Sequence, residues 1–201
     1  NISKQFGSSV QWENGFWATY FIDAIQTGRF TYNGSDSLDY GGSTSAVYAN
    51  QNSGKAYLFG FSSTINADFS KHFAASFSIN YTRGRVLSDT AQVPLDHVAP
   101  LFGRIGFNYH SSKVFAEIYS LFNGWKKLKE YSGSGEDNLQ YATADGMPAW
   151  FTLNLKASYQ PHKNIAIMAG FENMLDTQYR TFASGINSPG RNIYLSLKFN
   201  W

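Results

Sequence analysis

The sequence predicts an all-β chain, an antiparallel meander of about eight to ten long strands forming part of a transmembrane β-barrel. Three observations carry this. Apolar and polar residues alternate with a period of two along most of the chain, no segment shows a helical period, and several alternating runs reach about 11–15 residues. Strands of globular proteins centre on about five or six residues, whereas a tilted strand needs about 9–11 to cross a bilayer.

Taken in order, the strands are predicted over 2–12, 15–26, 55–69, 72–86, 100–110, 113–126, 149–160, 163–175 and 191–201. From Tyr57 every second residue gives Phe59, Phe61, Ser63, Ile65 and Ala67, against Leu58, Gly60, Ser62, Thr64, Asn66 and Asp68. Phe73, Ala75, Phe77, Ile79 and Tyr81 oppose Ala74, Ser76, Ser78, Asn80 and Thr82. Leu101, Gly103, Ile105, Phe107 and Tyr109 oppose Phe102, Arg104, Gly106, Asn108 and His110, and Phe151 to Tyr159 behave likewise. The last run sets Ile193, Leu195, Leu197, Phe199 and Trp201 against Asn192, Tyr194, Ser196, Lys198 and Asn200. The apolar set of these five runs carries no charge, as a face turned to hydrocarbon requires.

The connections alternate. Short turns are expected at Glu13-Asn14-Gly15, Ser70-Lys71, His110-Ser111-Ser112 and Pro161-His162-Lys163, and long loops over about 27–54, 87–99, 127–148 and 176–190. Short turns on one rim and long loops on the other are the rule for outer-membrane barrels. Trp125 and Trp150 fall at the long-loop ends of their strands, while Trp12, Trp17 and Trp201 fall near the short turns, so two interfacial girdles are expected. The plainer alternative is that these rings pack in a β-core.

Composition narrows the function. Aromatics are 17% of the 201 residues and charged residues only 15%, the opposite of a disordered tail. The absence of cysteine excludes a disulfide framework and a cysteine nucleophile. A net charge of +2 with no basic run beyond Lys126-Lys127 speaks against nucleic acid. The four histidines (His72, His97, His110, His162) are dispersed, and no metalloprotease, serine-elbow or phosphate-loop motif occurs, so no catalytic residue and no cofactor is expected. Asp36, Asp39 and Glu136-Asp137-Asn138 have the oxygen ligands of a hard-cation site, but read more simply as solvated loops, and no metal site is assigned. The first and last of nine antiparallel strands run the same way and cannot close a barrel together. With Asn1 opening the chain, the expectation is that further strands precede it.

Phe171-Glu172-Asn173-Met174-Leu175-Asp176, then Tyr179-Arg180, Pro189-Gly190-Arg191-Asn192 and a last strand ending in Trp201, resemble the C-terminus of TonB-dependent outer-membrane receptors. Val93-Pro94-Leu95 through Pro100-Leu101-Phe102-Gly103-Arg104 is similar to an earlier loop and strand of the same barrels, with wording like that of Bacteroidetes receptors. The resemblance implies a barrel of about 22 strands, an outer-membrane location, an N-terminal plug and a TonB-engaging segment. Residues 1–201 would then be the C-terminal portion of the barrel, with the plug and remaining strands absent. It also implies partners: outer-membrane lipid, the barrel-assembly machinery acting through the last strand, and an extracellular small-molecule or glycan ligand.

Arg104, Glu117, Lys156, Glu172 and Lys198 fall on the polar faces and are expected to line the lumen, with Arg104 and Glu117 in ion-pair reach across a hairpin. Cations among rings in the long loops (Tyr40, Tyr48, Lys126, Lys127, Lys129, Tyr131, Tyr141 and Arg180) are the candidate ligand contacts, suited to an anionic or sugar-like ligand or to lipopolysaccharide head groups. The function expected is TonB-dependent uptake of a scarce nutrient of siderophore, haem, cobalamin or glycan type. Two alternatives stay open: a small complete barrel acting as adhesin or structural protein, and a soluble carbohydrate-binding β-sandwich.

Overall fold

The structure is a computed structural model that describes residues 1–52, 54–87 and 92–199. Strands β1 (Ile2–Phe6) and β2 (Val10–Ile22) open an antiparallel meander. The first long connection is itself folded, with β3 (Ile25–Arg29) paired to β6 (Tyr48–Asn52) and β4 (Ser37–Tyr40) to β5 (Ser43–Ala46). The meander resumes with β7 (Lys55–Asp68) and β8 (Phe73–Leu87), to which β9 (Gln92–Pro94) adds briefly. It continues through β10 (Phe102–His110) and β11 (Val114–Asn123), whose outer connection holds the small β12 (Lys126–Lys127) and β13 (Gly146–Met147) pair. Strands β14 (Trp150–His162), β15 (Ile165–Glu172) and β16 (Asn192–Phe199) complete it. The sheet order is β1-β2-β7-β8-β10-β11-β14-β15-β16, every neighbour antiparallel, with β1 and β16 as open edges. This is the predicted meander, in nine strands of five to fifteen residues.

Two boundaries differ from expectation. The first hairpin turns at residues 7–9, not at Glu13-Asn14-Gly15, because Gly7 supplies the left-handed conformation (φ +60°) a tight turn needs. Asn14 and Gly15 lie inside β2, with Asn14 paired to Ile2 on one side and Ser63 on the other. Pro161 is strand rather than turn. The β14–β15 register shifts between Tyr159 and His162, an irregularity of the kind where a residue lacking an N–H is tolerated.

Register assigns two faces. Phe61, Ile65, Phe77, Ile105, Ile118, Leu155, Phe171 and Leu197 share one; Ser62, Ser78, Arg104, Glu117, Lys156 and Lys198 share the other. The apolar face is not a core. Ile193 is 75% exposed and Leu195 70%, while the buried apolar residues are few and belong mainly to the loops. A β-sandwich covers such a face with a second sheet about 10 Å away. Here all the long strands lie in one sheet and the remaining sheets are two-stranded hairpins, which removes the sandwich.

Glycines recur opposite large rings. A Cβ on Gly60 would lie 2.5 Å from the Trp17 ring opposite it, one on Gly103 2.5 Å from Phe122, and one on Gly170 2.2 Å from Tyr194. Each ring occupies the space that a side chain at the glycine would take, which pins register.

The tryptophan expectation needs correction. Trp12 sits on the apolar face near the short turns, its Nε1 donating to Ser63 Oγ at 3.0 Å. Trp17 shares the polar face with Gly60, eight positions from the end of β7, and takes no part in a girdle. Trp150 also lies on the polar face, opposite Asn123, with its ring 4.2 Å from that of Tyr179. The aromatic belt at the short-turn rim is built instead from Phe69, Phe73, Phe107 and Tyr109, whose centroids lie 5.3–6.2 Å apart. Trp201 lies outside the described residues.

Candidate functional site

The polar face carries one charged network. Glu117 of β11 accepts from Arg104 of β10 at 2.7 Å and from Lys156 of β14 at 2.8 Å, so one carboxylate bridges three strands. Arg104 also lies over the Tyr119 ring, 4.4 Å from its centroid. Gly106 leaves the space, since a Cβ there would stand 2.6 Å from Glu117 Oε1. The other two polar-face candidates stand apart from this network. Glu172 accepts from Asn192 Nδ2 at 3.2 Å, and Lys198 is exposed opposite Ala166.

The outer connections following β8, β11 and β15 are fastened into one body. Asp137, 1% exposed, accepts from the His97 N–H at 2.8 Å and the Ser132 N–H at 3.0 Å. Both carboxylate oxygens thus hold backbone, which replaces the expectation of a solvated or cation-binding loop. Ser134 donates to Asp96, Lys126 Nζ donates to the Val98 carbonyl, and Arg85 pairs with Glu130. Asn138 Nδ2 donates to the Ala183 carbonyl at 2.7 Å, and Arg180 Nη1 to that of Tyr141 at 3.0 Å. Burial alone would raise the Glu130 carboxyl, but the hydrogen bond and charge of Arg85, with Arg83 and Lys126, hold it below its ordinary range. Burial pulls the Lys126 ammonium below its ordinary value against the charges of Asp137 and Glu130, and burial with nearby Asp137 raises the Tyr131 phenol.

This body holds a half-open cavity of about 240 Å³ lined by Tyr131, Tyr141, Met147, Trp150, Tyr179 and Arg180. Trp150 Nε1 is buried there with no acceptor among the described residues. Tyr179 also borders a smaller cavity of about 140 Å³ that opens onto the polar face between Tyr119, Asn154 and Glu172. The structure therefore brings together three of the predicted loop residues, Tyr131, Tyr141 and Arg180. Lys126 is a buried strut rather than a contact. Lys127 lies over the exposed Trp125 ring at 3.9 Å, and Lys129 is exposed on the 3-10 turn Leu128–Glu130. Tyr40, 82% exposed, and Tyr48, under Arg29 at 5.5 Å, belong to the separate β3–β6 ribbon. Trp150, Tyr179 and Asp137 escaped sequence reasoning as site residues; the Tyr179-Arg180 pair was the available signal.

The segment after β15 explains its own motif. Asn173 takes a left-handed conformation (φ +47°), and its side chain accepts from the Thr177 N–H at 2.9 Å while donating to the Thr177 and Pro189 carbonyls. Asn154 accepts from the Asn173 N–H at 2.9 Å, and Arg191 reaches the Met174 carbonyl at 3.1 Å. The two ends of the loop are thereby tied above the sheet, presenting Tyr179 and Arg180 to the cavity.

A single sheet whose exposed face is apolar, with ordered connections on one rim only, defines the wall of a membrane-spanning β-barrel with a structured outer surface. The chain belongs to the TonB-dependent receptors: the family model described as TonB dependent receptor-like, beta-barrel matches residues 2–174. Among solved structures it is similar to the copper transporter OprC, at 17% identity and a TM-score of 0.75 over 96% of this chain and 29% of that one. A mutant of the ferric enterobactin receptor PfeA from Pseudomonas aeruginosa gives 19% identity and 0.67, over 98% and 29%. The iron transporter FrpB from Neisseria meningitidis gives 9% and 0.70, over 98% and 30%. At such identities the likeness establishes the fold, and the chain spans under a third of each of these proteins. Comparison with curated proteins gives no match.

Proposed function

We propose that residues 1–201 form the C-terminal part of the barrel wall of an outer-membrane receptor that takes up a scarce nutrient with energy delivered through TonB. A plug and further strands from the rest of the receptor complete the barrel. The wall performs no covalent chemistry: its loops capture and its lumen passes the ligand, of siderophore, haem, cobalamin or glycan type. The observation that carries this reading is the aromatic cavity in a cross-braced loop body, with Tyr179 lining both it and the smaller cavity on the polar face, where Arg104, Glu117 and Lys156 pair. Arg180 and the rings of Tyr131 and Tyr141 act at capture. Arg104, Glu117, Lys156, Glu172 and Lys198 line the lumen or seat the plug, while Tyr40, Tyr48, Lys127 and Lys129 form an outer surface of first encounter.

The test is TonB-dependent growth on the receptor's nutrient, with binding to whole cells measured alongside. Arg180→Ala combined with Tyr141→Ala should weaken binding about tenfold or more, as loss of one charged contact and one ring implies, and leave the receptor in the outer membrane. Unchanged binding and growth would remove the cavity from the uptake path.

A further inference from the structure

We propose that the outer end of β7 and β8 carries a binding site for the phosphorylated headgroup of an outer-leaflet lipid, built from Arg83 and Lys55 around the Tyr20, Tyr57 and Phe59 rings. The proposal rests on the membrane-spanning reading of the sheet. A strand tilted by about 40° climbs roughly 2.5 Å per residue along the barrel axis, so an apolar band about 25 Å tall is crossed in about ten residues. In β8 the count starts at Phe73 in the short-turn aromatic belt; the tenth residue onward is Arg83. In β7 the same interval runs back from Phe69 to Phe59, the residue directly opposite Arg83. Both strands thus place Arg83 at the upper edge of the hydrocarbon, on the lipid-facing side.

Below that edge the outward positions of these strands are uncharged: Ala75, Phe77, Ile79 and Tyr81 in β8, and Phe61, Ser63, Ile65 and Ala67 in β7. At the edge, charge appears abruptly. Arg83 and Lys55 are exposed, and neither has a carboxylate partner among the described residues. The nearest acid that senses Arg83, Glu130, is already held by Arg85. Lys55 lies four residues beyond Phe59, about 13 Å along the strand, and Tyr57 stands between them with Tyr20 directly opposite. Tyr57 and Phe59 stack with centroids 6.1 Å apart, and Tyr20 is 56% exposed. Two cations with no carboxylate partner among the described residues, flanking interfacial rings, complement an anionic group fixed at the membrane surface, because a phosphate there supplies a counter-charge.

The experiment uses the receptor at its native length, purified in detergent and incubated with lipid A, with dephosphorylated lipid A, or with inorganic phosphate, and bound lipid is read by native mass spectrometry. Lipid A should be retained and dephosphorylated lipid A should not. Arg83→Gln and Lys55→Gln should each weaken retention about tenfold, while Lys163→Gln, in the β14–β15 turn at the opposite rim, leaves it unchanged. Equal retention of both lipids, or no effect of either substitution, would overturn the site; displacement of lipid A by millimolar phosphate would make it a free-anion site instead. Heat-modifiable migration of each variant checks the barrel separately: its loss would indict the membrane reading rather than the lipid site.

Discussion

Glu117 shows how a single side chain holds three strands of a wall that has no core in the usual sense. With the apolar face turned outward, cohesion on the other face falls to hydrogen bonds, ion pairs and rings laid over glycines. Glu117→Ala should destabilise the barrel by about 1–3 kcal/mol, since it strands two cations that are partly sheltered. Lys156→Ala should cost under about 1 kcal/mol, its side chain being 40% exposed. Denaturant midpoints of the refolded receptor measure both. Gly170→Val should cost about 1–3 kcal/mol by driving a methyl into the Tyr194 ring. Tyr194→Ala should recover most of that loss in the double variant; additive effects would mean that the ring and the glycine do not share their space. The polar-face residues were legible in the sequence because parity within a strand fixes their side. The roles of Asp137 and Trp150 were not, because each depends on backbone or rings brought in from another loop.

At the scale of the element, period-two patterning located seven of the nine strands within about three residues at each end. The first hairpin was misplaced because Gly7 and the Asn14-Gly15 pair are both plausible turn formers, and only pairing of Asn14 to Ser63 decides between them. The folded β3–β6 ribbon was not legible either, its short strands lacking any sustained alternation. Phe77 and Ser78 test the facing of β8. Phe77→Arg, four residues into the band, should cost about 2–4 kcal/mol and Ser78→Arg much less; equal tolerance in outer-membrane assembly would reverse or void the assignment. The Arg85–Glu130 tie belongs to the loop scale. Glu130 has a folded value below its ordinary 4.5, so its stabilisation is complete above that value and fades as pH falls through the lower one. Limited proteolysis within residues 128–148 should therefore stay slow at pH 6 and accelerate in strong acid. Glu130→Gln should be cut faster at pH 6 and show less dependence on pH; an unchanged profile would mean that the tie does not restrain the loop.

For the whole molecule, the decisive feature is the uncovered apolar face of the sheet. On the proposed reading, lipid covers the exposed apolar face of the nine antiparallel strands and further strands of the receptor meet the edges at β1 and β16. The measurement that addresses this most directly is spin-label accessibility along β14 in the native-length receptor in bilayers, the segment itself being free of cysteine. Labels placed singly at Leu153, Leu155 and Ala157 should collide with oxygen dissolved in lipid. Those at Asn154, Lys156 and Ser158 should be shielded from it and reached, if at all, by a water-soluble nickel chelate. A strict two-residue alternation is the predicted result; uniform accessibility to the aqueous reagent at all six positions would contradict the account.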